Sequence, residues 1–364
     1  MKTLLLAPEL FRSEGGISRI LRLYLRALGH ISGPTRGTGY VALNDLPGPD
    51  PRAAELAPRG LACAVGCDRG KVAFAQAVWR EGWDADLIVC GHLHQLPVAW
   101  LLSLARPGLR YVLVAHGIEV WRPYSWIERR SLRGAARILC ISEFTRRQVL
   151  RFDPGLDPAR LVVVPNSFDP GFETAGTAPE TAARSAGGPV ILTVARLTKA
   201  DTYKGVDTVI EAMPRVLRVL PQARLRVVGE GDDLPRLRAL AQRTGVAGAV
   251  HFTGFVDDAT LRGEYRRCDL FALPSRKEGF GLVYLEALGG GKPCIAARAG
   301  GSPEVVDHEV GALVDYGNSE QLADAVIELC KQPPPVERLR ARAGHFSFGR
   351  FQERLSAALS AFLS

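Results

Sequence analysis

The sequence predicts an α/β fold built from two doubly wound halves. Three observations carry that expectation: a length of 364 residues, short apolar runs alternating with longer amphipathic stretches, and one glycine- and proline-rich interval near the middle. A chain of this length exceeds what one hydrophobic core usually supports, so two domains of roughly 150–200 residues are expected. Apolar runs separated by helical periodicity imply parallel strands whose connections cover both faces of a sheet.

In the first half, strands are read at TLLLAP (3–8), YVALN (40–44), DLIVCG (86–91), YVLVAHG (111–117), RILCIS (137–142) and LVVVPN (161–166). ISRILRLYLRALG (17–29) reads as an amphipathic helix stopping at Gly29, with KVAFAQAVWREG and EFTRRQVLRF as further helices. FDPGFETAGTAPETAARSAGGP (168–189) sustains no apolar period and reads as a linker. The alternation restarts with strands at PVILTVAR (189–196), RLRVVGEG (224–231), AVHFTGF (249–255), LFALPS (270–275) and PCIAA (293–297). Helices fall at KGVDTVIEAMPRVLRVL, DLPRLRALAQRTG, ATLRGEYRRC, GLVYLEALGGG and SEQLADAVIELCKQ, and PPPV (333–336) sets apart a last one, FGRFQERLSAALSAFLS. The expected domains are residues 1–168, a linker at 169–189, residues 190–345, and a C-terminal helix at 346–364 packing back on the first domain. In open parallel sheets ligands bind beyond the carboxyl ends of the strands, so strand-ending loops facing a cleft between the halves are where function is expected.

Composition narrows the classes. Hydrophobic content of 47% and charged content of 23% are ordinary for a soluble globular protein. The net charge of +8 is not gathered into a Lys/Arg block and no nucleic-acid-binding signature accompanies it, so no nucleic-acid partner is expected. Seven scattered cysteines without a C-x-x-C pair, several inside apolar runs, read as buried free thiols in a reducing cytoplasm. The opening MKTLLLAPELF is broken by Pro8 and Glu9 and reads as a first strand rather than a signal peptide. No stretch approaches the ~18 uninterrupted apolar residues of a membrane-spanning helix.

Three strand ends in the second half carry candidate chemistry. VARLTKADTYKG sets Arg196 at a strand end and Lys204 at a helix start, two cations suited to a diphosphate; a solvated loop with stray bases is the alternative. VVGEGDD ends a strand with Gly229 and Gly231, where glycine admits either a ligand or a tight turn. EGFGLVYLEALGGGKP places Glu278 at a strand-end rim, then Gly279, Phe280 and Gly281 opening a helix whose free N–H groups favour an anion or an oxygen-rich ligand. Glu286 lies in the body of that helix, so the two acids can address different ends of one elongated ligand. An ordinary amphipathic helix with an acid at its N-terminus is the alternative. The adjacent pairs Asp232–Asp233 and Asp257–Asp258 read as helix N-terminal acids, not as a metal-binding D-x-D, and no metal or cofactor is expected.

The segment E-G-F-G-L-V-Y-L-E, followed by A-L-G-G-G-K-P and A-G-G-S-P-E-V-V, resembles the retaining nucleotide-sugar glycosyltransferases of family GT4. The resemblance extends over most of the chain through S-E-G-G-I-S-R, H-G-I-E-V-W, V-P-N-S-F-D, R-L…Y-K-G, G-E-G, F-x-G-F and the closing F-S-F. It implies a GT-B fold, two facing Rossmann-like domains with a central cleft. It also implies that Arg196 and Lys204 bind the donor diphosphate and stabilise the departing nucleotide, and that Glu286 accepts the ribose hydroxyls. Glu278, with the backbone of Gly279, Phe280 and Gly281, would hold the donor sugar. Leu282, Gly229, Glu230 and Phe255 stand in motifs that line the donor. Gly15 and Gly16 would close over diphosphate and sugar, and His116 would approach the sugar near the scissile bond. Transfer would retain configuration by a front-face route without a metal.

Departures are A-R-L in place of G-R-L, a longer interval from Arg196 to Lys204 that must bulge, and Gly289-Gly290-Gly291, which would loosen a helix end. The implied partners are a nucleotide-sugar donor and a glycan or lipid-linked acceptor, in surface polysaccharide or glycoconjugate assembly. WRPYSWIERRSLRGAAR (121–137) spaces Arg129, Arg133 and Arg137 every four residues beside Trp121, Tyr124 and Trp126. Such a helix face fits peripheral contact with an anionic inner membrane, or else a solvated face with its aromatics packed inward. A sugar-nucleotide epimerase of the same fold and a non-catalytic nucleotide-sugar-binding subunit are the alternatives.

Overall fold

The computed structural model describes residues 2–31, 37–48, 50–57, 60–172 and 187–362. The chain divides into two compact units, Met1–Ser167 with Phe348–Ser364, and Phe168–Ser347. The first contains a parallel sheet of β1 (Thr3–Ala7), β2 (Thr38–Ala42), β3 (Leu61–Gly66), β4 (Leu87–Cys90), β5 (Arg110–Ala115), β6 (Arg137–Cys140) and β7 (Leu161–Val163), in the order β3-β2-β1-β4-β5-β6-β7. The second contains β8 (Val190–Val194), β9 (Arg224–Val228), β10 (Val250–Gly254), β11 (Leu270–Leu273), β12 (Cys294–Ala297) and β13 (Gly311–Val314), ordered β10-β9-β8-β11-β12-β13. Each order reverses beside the unit's first strand, between β1 and β4 and between β8 and β11. The central strands β1, β4, β11 and β12 are buried along their whole length, as continuous apolar runs covered on both faces must be.

The helices are α1 (Gly16–Ile31), α2 (Pro51–Leu56), α3 (Lys71–Gly82), α4 (Leu96–Ala105), α5 (Trp126–Gly134), α6 (Glu143–Phe152), α7 (Val206–Val219), α8 (Leu234–Arg243), α9 (Asp258–Arg267), α10 (Leu282–Gly289), α11 (Ser319–Lys331), α12 (Val336–Gly344) and α13 (Phe348–Leu359). On one face of the first sheet α3, α4, α5 and α6 send Phe74, Val78, Leu96, Leu102, Leu132 and Val149 into a common core. α13 packs on α1, with Phe351 and Leu355 fully buried and the Tyr24 and Phe351 rings edge-on at 5.0 Å.

Several sequence expectations need correction. The helix expected to stop at Gly29 runs to Ile31, because Gly29 sits inside a helical turn that α1's apolar stripe holds together. β3 (LACAVG) and β13 (GALV) were not foreseen, since Ala, Gly and Cys make a weak strand signal on a half-buried edge. α4 is an almost unbroken apolar run without a period, and α12 begins directly after the proline run, where a single last helix was expected. Arg137 is the first residue of β6 and does not share a helix face with Arg129 and Arg133. Within the stretch read as linker, Phe168 and Phe172 are buried, Phe172 lying edge-on to Tyr265 at 5.7 Å; residues 173–186 of it lie outside the described residues. All seven cysteines are free thiols. Among the described residues no helix is long and apolar enough to cross a membrane.

Candidate active site

In the second unit the candidate residues converge on the carboxyl ends of β8 and β11, beside the strand-order reversal. Arg196 follows β8 by two residues, and its mostly exposed guanidinium lies 3.3 Å from the carboxylate of Asp201. Asp201 is buried and also accepts the hydroxyls of Thr198 at 2.7 Å and Tyr203 at 2.8 Å. Burial, with the adjoining Asp201 carboxylate, drives the Tyr203 phenol above its ordinary range, so it remains a donor. The long Arg196–Lys204 interval is a 3₁₀ stretch, Lys199–Lys204, kinked at Asp201. Gly205 ends it at φ +74°, where a Cβ would come within 2.7 Å of the Pro274 carbonyl. That close approach seats Lys204 against the end of β11, and its ammonium donates to Glu278 Oε2 at 2.7 Å.

The turn from Glu278 to Gly281 is held from behind. A Cβ on Gly300 would meet the Glu278 carbonyl at 2.4 Å, and one on Gly301 the Gly279 carbonyl at 2.2 Å; the Gly301 N–H donates to Glu278 O at 2.8 Å. Gly281 takes φ +98° immediately before α10, a conformation open to glycine. Phe280 is buried edge-on to Phe346 at 5.3 Å, so its ring belongs to the core. Leu282 is the first residue of α10, and Glu286, one turn in, is buried with its Oε2 accepting the Tyr265 hydroxyl at 2.9 Å.

One sequence reading changes here, and another gains a packing reason. Gly289-Gly290-Gly291 do not loosen the helix end. A Cβ at Gly289 would sit 2.7 Å from the Phe168 ring, and Gly291 turns the chain at φ +72° into a close approach with Val336. Gly229 and Gly231, at φ +138° and +155°, serve backbone packing: their Cβ atoms would strike the carbonyls of Ala195 at 1.8 Å and Leu197 at 2.2 Å. Glu230 between them is exposed and accepts the Leu197 N–H through its carbonyl at 2.9 Å, while Phe255 stands exposed just past β10. Asp257 caps α9 and Asp232 accepts the Lys199 N–H, as helix- and turn-stabilising acids do. Among the described residues no group of three or more His, Cys, Asp or Glu is gathered as for a metal ion.

In the first unit the equivalent loop follows β1. The buried Asp45 carboxylate accepts the consecutive N–H groups of Leu10, Phe11 and Arg12 at 3.1 to 3.3 Å. Arg22 and Arg52 donate to the carbonyls of Leu10 and Phe11 and both bond Glu14. Gly15 and Gly16 lie at the end of this fastened segment, where α1 begins. His116, one residue past β5, is buried, and its Nε2 is 2.8 Å from the Gly91 carbonyl. A carbonyl can only accept, so Nε2 carries the proton and Nδ1 keeps a lone pair. Burial pushes His116 down to about 4, the Gly91 bond opposing it in part; burial also pushes His92, at the end of β4, down to about 4. Glu119 accepts the N–H groups of His116 at 2.6 Å and Gly117 at 3.1 Å, fixing the turn that presents the imidazole.

The family model for glycosyl transferases group 1 matches residues 178–346, and that for glycosyltransferase family 4 matches residues 47–172. Over 284 residues the chain is 32% identical to a GDP-mannose-dependent alpha-(1-6)-phosphatidylinositol monomannoside mannosyltransferase of Mycolicibacterium smegmatis, covering 72% of each protein. The chain belongs to the family 4 glycosyltransferases. To the mannosyltransferase of the same name from Mycobacterium tuberculosis this glycosyltransferase is 36% identical over 255 residues, a stretch spanning 64% of that relative's length. A D-inositol 3-phosphate glycosyltransferase of Segniliparus rotundus is 38% identical over 301 residues, with 78% of this chain and 66% of that one aligned. The structure of Anabaena HepE in complex with UDP and glucose superposes with a TM-score of 0.79 at 22% identity, covering 99% of this chain and all of that one. The fold is GT-B.

Sequence reasoning did not find Asp201, Tyr203, Tyr265, Asp45 or Glu119. Only the acidic residue inside the Arg196–Lys204 insertion offered a signal, because a short loop with three bases calls for a counter-charge. Asp45 and Tyr265 act from elements far away in sequence, on N–H groups and a carboxylate that no local pattern connects to them.

Proposed function

We propose that the chain is a retaining, metal-independent glycosyltransferase that moves a hexosyl unit from a nucleoside diphosphate sugar to a glycan or glycolipid acceptor. It needs no cofactor. The observation that carries the reading is the pairing of Lys204 with Glu278, beside Arg196 on Asp201, at the strand-order reversal of one unit. Each cation rests on a carboxylate that a diphosphate can replace, and Glu278, once released by Lys204, can accept sugar hydroxyls. The second unit is the donor-binding domain, with Arg196 and Lys204 on the diphosphate, Glu286 on the ribose, and Glu278 with the 279–281 backbone on the sugar. Leu282, Gly229, Glu230 and Phe255 line it. Gly15, Gly16 and His116 belong to the first unit, which takes the acceptor.

The reaction breaks the bond from the anomeric carbon to the phosphate oxygen and forms one from the same face of that carbon to the acceptor oxygen. The acceptor proton passes to the departing phosphate, so no protein nucleophile is needed. Charge developing on the leaving diphosphate is met by Arg196 and Lys204. His116, neutral at physiological pH, offers hydrogen bonding to the sugar and no positive charge.

The relatives' names supply donor and acceptor for those proteins: GDP-mannose and a phosphatidylinositol mannoside. A lipid-linked acceptor fits their company, with the protein in the cytoplasm and peripheral at the inner face of the membrane. The deciding experiment is thermal shift with UDP-, GDP- and ADP-sugars, followed by product analysis with and without a phosphatidylinositol mannoside. Stabilisation by one nucleotide class and acceptor-dependent release of the diphosphate are expected. An epimerised donor formed without acceptor, or no stabilisation by any donor, would overturn the reading.

A further inference from the structure

On the first unit α4 (LPVAWLLSLA) carries no charged residue, although it lies on the outside of the sheet between α3 and α5. Leu96, Ala99 and Leu102 face the core, yet Leu101 is 46% exposed and Leu104 60%. A helix turned to bulk water normally has polar residues on its outer face. Trp126, the first residue of α5, is 70% exposed and lies edge-on to Trp100 of α4 with ring centroids 6.4 Å apart. At the far end of α5 a Cβ on Gly134 would strike the Tyr111 hydroxyl and come within 3.2 Å of the Trp100 ring, so α5 lies close on both the sheet and α4. On the other flank Trp79 and Trp83 pack on each other at 6.0 Å and are about half exposed.

Charge on these helices is one-sided. The carboxylates of Glu81 and Glu128 are engaged by Arg80 at 2.7 Å and Arg122 at 2.6 Å. Arg129 and Arg130 are exposed on α5 and make no ion pair among the described residues. An uncharged apolar ridge bordered by tryptophans and unmatched arginines has the chemistry of a bilayer interface. Leucines enter the acyl boundary, indoles sit at headgroup level, and guanidinium groups meet anionic phosphates. α4 is far too short to cross a bilayer, so the contact is with its surface.

We propose that the α3–α4–α5 face docks the protein on an anionic phospholipid surface, through Leu101, Leu104 and Trp126 with Arg129 and Arg130. The proposal rests on the reading of a lipid-linked acceptor and names the surface by which the enzyme reaches it. The test is co-flotation of the full chain with vesicles of phosphatidylcholine alone or enriched in phosphatidylglycerol, with neither donor nor acceptor present. Binding to the anionic vesicles, weakened by salt, is expected. At ~1 kcal/mol for each arginine near an anionic surface, an Arg129→Gln, Arg130→Gln double variant should bind about thirtyfold more weakly. Leu104→Ser with Trp126→Ser should lower binding about tenfold or more by removing apolar burial. All four side chains are exposed, so unchanged melting temperatures confirm that folding is intact.

Failure of the wild type to float with either vesicle would overturn the proposal, as would binding of the four-residue variant equal to wild type. Conversion of a dimer to a monomer by Leu104→Ser, Trp126→Ser in sedimentation would also overturn it, because a second copy would then be the occupant. Donor thermal shift is independent of vesicles, so loss of donor binding with flotation intact would count against the transferase reading and leave docking standing.

Discussion

The two units repeat one strand order, yet they fill its reversal point with opposite electrostatics. In the second, the loops after β8 and β11 present matched ion pairs, Arg196 with Asp201 and Lys204 with Glu278. In the first, the loops after β4 and β5 present His92 and His116, which burial keeps neutral, while the charges around the β1 loop hold backbone groups in place. The same topology therefore offers an exchangeable set of charges in one unit and neutral hydrogen-bonding groups in the other. Cations already gathered at one point can turn from carboxylates to a diphosphate, and neutral donors and acceptors suit hydroxyl-rich partners.

The largest expected effect comes from removing the exchangeable cations. An Arg196→Ala, Lys204→Ala double variant should lose about a thousandfold or more in kcat/KM, since each donor aimed at developing charge is typically worth about 10²-fold or more. Steady-state kinetics with the preferred donor checks this, and activity near wild type would erase the contrast between the units.

A smaller effect separates the two acids. Glu286→Ala should raise the donor Kd about tenfold or more with a modest change in kcat, and Glu278→Ala should lower kcat with a modest change in Kd. Equal, near-wild-type constants for both would remove these residues from the donor site.

The smallest effect belongs to the neutral unit. His116 has a folded-state value of about 4 against ~6.5 in an unfolded chain. Above the unfolded value both states are neutral and pH has no effect. As pH falls from there toward the folded value, the unfolded chain takes up a proton that the folded chain refuses, and stability declines. Melting temperature should fall across that window, more gently in His116→Gln than in wild type. An identical acid slope in the two proteins would show that His116 titrates normally.

Periodicity and loop chemistry made most of this molecule legible. β1, β4, β11 and β12 announced themselves as unbroken apolar runs because both of their faces are covered. The Glu278–Glu286 stretch was readable because a glycine turn before a helix has a local signature. What escaped was non-local or weakly patterned. β3 and β13 each hold a single β-branched residue among Ala, Gly and Cys or Leu, and α4 is apolar all round, so neither period shows. Gly229 and Gly231 read as ligand or turn glycines, yet their requirement, like that of Gly300 and Gly301, is the close passage of a neighbouring backbone. The positions of Asp45 and Tyr265 depend on the tertiary fold alone.

The placement of α13 has a consequence for how the molecule is made. The second unit is continuous in sequence and has all its elements once residue 347 has left the ribosome. The first unit begins at the N-terminus but then lacks Phe351 and Leu355, which complete the packing on α1. Vectorial synthesis therefore delivers the later unit whole while the earlier one waits with an apolar stripe on α1 uncovered. The part of the chain synthesised first is the part finished last.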